Sequence, residues 1–255
     1  MNLFELWNSL NLSNTETILI IATALVAGTA RGFSGFGSAM IMAPIYVGIF
    51  GPVLAVPVVL ILEALISLPL LASSVKTAQY DTVFKMLITA VIGAVLGMGV
   101  VAFFPADTLA TLVAGIVLVF VALIAVQKPQ NEKAFAVSDH LKYLAGGASG
   151  LFGSISGMTG PPAVMLMLKS NASPLTIRAT LIIYFMLIDV LLVAVYSLWE
   201  GTFHLEWLGL IGLSLPPMIV GSWIGGFLFR FASAHLFRIL TLSLVAVAAI
   251  IGLLT

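Results

Sequence analysis

One arginine, two acids and a scatter of hydroxyls are the residues of this chain that could do chemistry inside otherwise apolar sequence. Arg31 and Ser34 lie in residues 28–44, GTARGFSGFGSAMIMAP, and Ser156 and Thr159 lie in residues 153–166, GSISGMTGPPAVML. Glu63 and Asp189 are lone acids in the long apolar runs that come after these two segments, 126 residues apart. A charge deep in apolar sequence is costly, so it faces a partner, a cavity or a solute pathway. The planar fork of arginine fits carboxylate, sulfonate or phosphate oxygens. Arg31 is therefore either an anion contact or the salt-bridge partner of Glu63 or Asp189. Either acid could carry a proton, or stay neutral against a freed backbone carbonyl.

The glycines beside these residues give the second signal. Each would cost a continuous helix about 1 kcal/mol. Gly28, Gly32 and Gly35 align with Gly153, Gly157 and Gly160 at a constant separation of 125. Glycine-broken apolar segments at matching places in two halves point to the binding site of a transporter. A helical arm restarting after each break offers unpaired N–H groups and the positive end of its dipole. Two such ends facing one cavity make an anion site. Gly35, Gly37 and Gly160 would let a ligand approach the backbone, and Ser34, Ser38, Ser156 and Thr159 would add hydroxyls. Pro161 and Pro162 suit the first turn of the second restarting helix. The expected binding set is thus Arg31, Ser34, Gly35, Gly37, Ser38, Ser156, Thr159 and Gly160, with Glu63 and Asp189 as candidates for proton coupling.

Composition says what must hold these residues. The chain has 255 residues, 61% of them hydrophobic and 8% charged, with a mean hydropathy of +1.21. A soluble domain carries about 25% charged residues. Runs of roughly 20 apolar residues read as membrane-spanning helices. There is no cysteine, so disulfide and thiolate chemistry are excluded. With zero formal net charge and no basic cluster, nucleic acid is not an expected partner. No residue set suggests a catalytic centre, a metal site or a cofactor. His140, His204 and His235 fall in loops or at helix ends, and Tyr46, Tyr184 and Trp199 read as packing or interfacial aromatics.

In chain order, residues 1–17 are a polar segment that does not read as a cleaved signal peptide, with Leu3, Phe4, Leu6 and Trp7 suited to a short interfacial helix. The first repeat covers 18–126: a broken block at 18–50, then helices near 53–72, 84–104 and 108–126. Residues 127–142 form a polar linker. The second repeat, 143–255, has a broken block at 143–169 and helices near 175–199, 206–229 and 234–254. Gly93 and Gly97 match Gly221 and Gly225 at a separation of 128, a small-xxx-small pattern that reads as close helix packing.

The basic residues choose between two topologies. If all eight segments cross, Lys76, Lys85, Lys128, Lys133 and Lys142 oppose Lys169, Arg178, Arg230 and Arg238, which is no bias. If each broken block instead dips in and returns, all nine share one face, as the positive-inside rule demands. Arms of roughly 11 residues, about 16 Å of rise, would reach half-way through the hydrocarbon. The expected fold is therefore an all-α polytopic membrane protein. It has two inverted repeats, each a re-entrant broken-helix hairpin plus three transmembrane helices, with the tips near the midplane. The basic face, linker included, is then cytoplasmic, and both termini lie outside an inner cell membrane. Arg178 reads as a topological anchor.

The broken segments also carry a resemblance. Gly32, Gly35, Gly37 and Pro44, echoed by Gly157, Gly160 and Pro161–Pro162, resemble the TauE/SafE family of sulfite exporters and toluene-sulfonate-uptake permeases over roughly residues 18–254. Gly35-Phe36-Gly37-Ser38 and Gly160-Pro161-Pro162 depart from that family's usual glycine triplet, at positions that would face the solute. The resemblance implies a secondary transporter of sulfite, thiosulfate, sulfonates or similar organic anions. Its expected partners are the small anion and the lipid bilayer, with self-association as a homo-oligomer left open. Two other classes compete. A passive anion channel could use the same helix dipoles. An intramembrane serine protease is suggested by Gly32-Phe33-Ser34-Gly35, but it needs a base within reach of the serine, and no histidine lies inside an apolar segment.

Overall fold

The computed structural model describes residues 12–105, 137–170, 172–200 and 205–229, with isolated helical residues between 108 and 122. The expected helix at 234–254, most of that at 108–126, most of the linker and residues 1–11 lie outside the described residues, as do His204 and His235. Every delimited element among the described residues is an α-helix.

The first helix starts on a capping box. Ser13 Oγ accepts from the Glu16 backbone N–H, while the Glu16 carboxylate accepts from the Ser13 backbone. Helix α1 (Asn14–Ser34) then runs 21 residues, about 31 Å, a length comparable to the hydrocarbon thickness. This corrects the half-length arm expected from sequence, because the cap sets the start in polar residues ahead of the apolar run. Gly35, at φ 79°, ends α1 in the left-handed region and returns its N–H to the Arg31 carbonyl at 2.7 Å. Gly37, at φ 93°, opens α2 (Ser38–Phe50). The second broken segment repeats this. Helix α5 (Asp139–Ser156) ends at Gly157, φ 71°, and α6 (Gly160–Leu168) comes next with its prolines in the first turn.

These caps fix the register of the repeat. Gly35 pairs with Gly157, and the first residues of α2 and α6, Ser38 and Gly160, pair likewise, each 122 apart rather than 125. Gly28 and Gly32 accordingly sit inside α1 and break nothing. They make room instead. A Cβ at Gly28 would stand 2.1 Å from the Met218 carbonyl oxygen, and one at Gly32 2.0 Å from that of Ser222. Gly221 and Gly225 press back on the carbonyls of Leu25 and Thr29. Numbers rise together on both sides, so α1 and α8 (Leu205–Phe229) run parallel in backbone contact. Helix α4 (Tyr80–Phe103) packs the same way on α5, through Gly93 against Gly147, Gly97 against Leu151 and Gly150 against Ala90. Each half's first arm thus lies along the other half's partner helix.

Helices α3 (Pro52–Ser74) and α7 (Pro174–Glu200) pack together at the centre. Arg31 joins Glu63 and Ser67 of α3 to Phe185 of α7, while the second break joins Val59 of α3 to Asp189 of α7. Numbers fall on one helix as they rise on the other, so α3 and α7 are antiparallel. The start of α7 meets the start of α4, where the Gln79 N–H donates to Thr180 Oγ1 at 2.9 Å. Helix α2 turns back along α1: the Tyr46 hydroxyl lies 3.5 Å from the Ile20 carbonyl and 2.8 Å from Ser214 Oγ. Five of the described helices, α1, α3, α4, α7 and α8, are long and apolar enough to cross a membrane.

Candidate functional site

Both breaks lean on the α3–α7 crossing, and the ionisable residues singled out by sequence meet there. Arg31 lies one turn before the end of α1 and points into the protein. Its Nη1 is 2.9 Å from Glu63 Oε2, and its Nη2 donates to Ser67 Oγ. Ser67 hands its own proton to the Glu63 carbonyl one turn back, at 2.7 Å. The guanidinium carbon sits 5.2 Å from the centroid of the Phe185 ring, so one face of the fork is covered by a π-system. On the other half, Thr159 Oγ1 donates to Asp189 Oδ1 at 3.0 Å. The Asp189 carboxyl lies within electrostatic range of both Glu63 and Arg31.

The cluster is closed. Arg31 is 1% exposed and Glu63 3%, while Asp189 and Ser38 are fully buried. Yet Arg31 Nε, Glu63 Oε1, Asp189 Oδ2 and Ser38 Oγ have no hydrogen-bond partner among the described residues. Buried polar atoms are nearly always satisfied, so a concentration of unmet ones marks where a ligand, ion or water belongs. At the crossing they are Arg31 Nε and one carboxyl oxygen each of Glu63 and Asp189; Ser38 Oγ, in the first turn of α2, is likewise unmet.

The remaining expected site residues divide. Gly35 and Gly37 turn the chain, and the N–H of Gly35 is spent on its own helix. Ser34 Oγ lies 2.7 Å from the Ala30 carbonyl, is close to that of Phe36, and accepts the Phe36 N–H at 3.1 Å. Ser156 Oγ donates to the Phe152 carbonyl at 2.7 Å. These two hydroxyls therefore pin the breaks through bonds to their own backbone. A nucleophilic Ser34 would need a base where it has backbone carbonyls. Gly160 stands against the Phe185 ring, 3.7 Å from where its Cβ would be, so the start of α6 touches the ring that lies against Arg31.

Three participants carry no clear mark of this site in the sequence. Ser67 stands one helical turn after Glu63, a spacing that could have marked it. Phe185 carries no such signal, because aromatics are ordinary in apolar helices. Arg178 does more than anchor α7: its side chain packs on Gly35, and its Nη2 lies 3.4 Å from the Gly32 carbonyl. A cation at the end of α1 complements the helix dipole.

A family model for the sulfite exporter TauE/SafE matches residues 20–251. The chain belongs to the TauE/SafE family. Its membrane-length helices are thus those of a multi-pass transport protein in a family named for moving sulfite, and both breaks and every ionisable residue of the cluster fall within the matched span. No curated protein and no solved structure matches the chain.

Proposed function

We propose that this TauE/SafE protein is a secondary transporter of a small sulfur-containing or organic anion, such as sulfite, thiosulfate or a sulfonate. The anion binds at Arg31 where the two broken segments meet the α3–α7 crossing. The observation that carries the reading is Arg31 itself: a cation sealed among apolar helices, whose Nε has no partner among the described residues, beside a Phe185 ring that also touches the start of α6. A sealed cluster favours a carrier that opens to one side at a time over a channel, which needs a continuous wet path.

The proposed topology is inverted. The return of α2 along α1 supports a re-entrant first hairpin, and the antiparallel α3 and α7 support halves of opposite orientation. Gln79 at Thr180 supports a common face for Lys76, Lys85, Lys169 and Arg178. That face would be cytoplasmic in an inner cell membrane, with both termini outside. Uptake of sulfite, thiosulfate, methanesulfonate and small carboxylates into proteoliposomes tests the function. Saturable uptake of a sulfur anion is expected. Flux of none of them, or unitary currents far above carrier turnover, would overturn the reading.

A further inference from the structure

The arginine fork is already engaged where an anion would bind. Nη1 is held by Glu63, Nη2 by Ser67 and one face by Phe185. Nε has no partner among the described residues, and with an N–H of the neighbouring Nη it could grip two oxygens of an oxyanion. The positive charge that would hold the oxyanion is already paired with the Glu63 carboxylate, so an incoming anion competes with Glu63 for it.

The charges around Glu63 set the cost of that exchange. Helix α1 contributes Arg31, and α7 contributes Asp189 and, within range of Arg31, Arg178. Tyr184 of α7 lies near Asp189. Among the other elements packed on α3, α2 holds no ionisable residue but Tyr46, and α8 none but Glu206 at its start. Those of α5 (Asp139, His140, Lys142 and Tyr143) lie in its first turns. Within the sealed cluster the ion pair is Arg31 with Glu63, which is formally neutral, while Arg178 is only part-buried. An anion added to that pair leaves one uncompensated negative charge in a sealed, low-dielectric cluster, which the fold cannot offset elsewhere.

We infer that the anion displaces Glu63 from Arg31 and that Glu63 takes up one proton as it lets go, so that anion and proton move together. The step balances: the Arg31–Glu63 ion pair, the anion and a proton from the adjacent water become an Arg31–anion pair and a neutral Glu63 carboxylic acid. The proton leaves when Glu63 returns to Arg31. Glu63 Oε1, which has no partner among the described residues, is the atom open to receive it. Asp189 stays tied to Thr159 through Oδ1. This inference rests on anion binding at Arg31.

The test is proton movement during anion uptake in proteoliposomes holding a pH-sensitive dye. The probes are thiosulfate and methanesulfonate, neither of which carries a titratable proton near neutral pH. In the unaltered protein, uptake should acidify the lumen, and lowering external pH by one should raise the initial rate several-fold. Glu63→Gln should still exchange anion for anion, but with no lumen acidification and a flat pH profile. Anion flux without a proton signal in the unaltered protein would overturn the inference alone, as would flux that depends on sodium or a Glu63→Gln protein that still moves protons. Absence of any anion flux would instead remove the transport reading beneath it.

Discussion

Tyr46 and Ser214 share a hydrogen bond of 2.8 Å between their hydroxyls, tying the return arm of the first broken segment to the partner helix from the other half. Both groups are buried, and Tyr46 is fully enclosed. The bond therefore does what apolar packing cannot: it fixes how far α2 folds back along α1. Tyr46→Phe should lower the midpoint of thermal unfolding in detergent by the equivalent of about 1 kcal/mol, the net worth of one buried hydrogen bond, with Ser214 left short of a partner. An unchanged midpoint in Tyr46→Phe would mean the arm is held by packing alone.

The glycines separate into those that turn the chain and those that let helices touch. Gly32→Ala puts a methyl group 2.0 Å from a backbone carbonyl and must push α1 off α8. It should cost at least the ~1–3 kcal/mol of an overpacked core. Gly99→Ala meets nothing within 4 Å and should leave stability equal or slightly raised. Thermal unfolding of the two variants side by side checks the contrast, and similar midpoints would contradict it.

At the breaks the cost is conformational. Gly35→Ala forces an L-residue into the left-handed region at φ 79°, a penalty of about 1–2 kcal/mol, and brings a methyl group to 3.0 Å from the Arg178 side chain. Gly51 combines φ 74° with ψ 163°, a region essentially restricted to glycine, so Gly51→Ala should lose stability through conformation alone, with nothing within 4 Å of the added methyl group. A Gly51→Ala protein as stable as the unaltered chain would show that backbone strain does not set the cost at these positions.

Scaffold and site can be separated at the ion pair. Removing one partner strands the other charge, so Arg31→Met alone should destabilise by roughly 3–5 kcal/mol. Arg31→Met with Glu63→Leu replaces both by apolar groups and should recover most of that loss while transport stays absent. A double variant that still transports would place the anion elsewhere.

The chain has no cysteine, so single cysteines report topology cleanly. Cysteines at Lys76 and Lys169 should react with an impermeant thiol reagent from the same side, and one at His204 from the opposite side. Labelling of the first two from opposite sides would remove the re-entrant hairpins.

How much a sequence discloses depends on how rare each residue is in its setting. Charges inside apolar helices are scarce, so Arg31, Glu63 and Asp189 stand out, and the structure gathers all three at one crossing. Glycine is ambiguous, because a turn and a close helix contact both demand it. Gly28 and Gly32 therefore pass for parts of the break, and a repeat aligned on them falls three residues off. Hydroxyls mislead for a related reason. Ser34 and Ser156 look like donors to a solute, but a serine near a helix end bonds readily to the carbonyl one turn back. Phe185 cannot be found at all, since its role comes from the angle at which α7 crosses α3, and no local pattern encodes that.

The most direct measurement is the affinity of the purified protein for thiosulfate or sulfite by titration calorimetry, compared between the unaltered chain and Arg31→Lys. Lysine keeps the charge but loses the fork, so binding should weaken about 10-fold or more, in line with the loss of one charge-assisted hydrogen bond. Unchanged affinity in a folded Arg31→Lys protein would contradict the assignment of Arg31 as the residue that holds the anion.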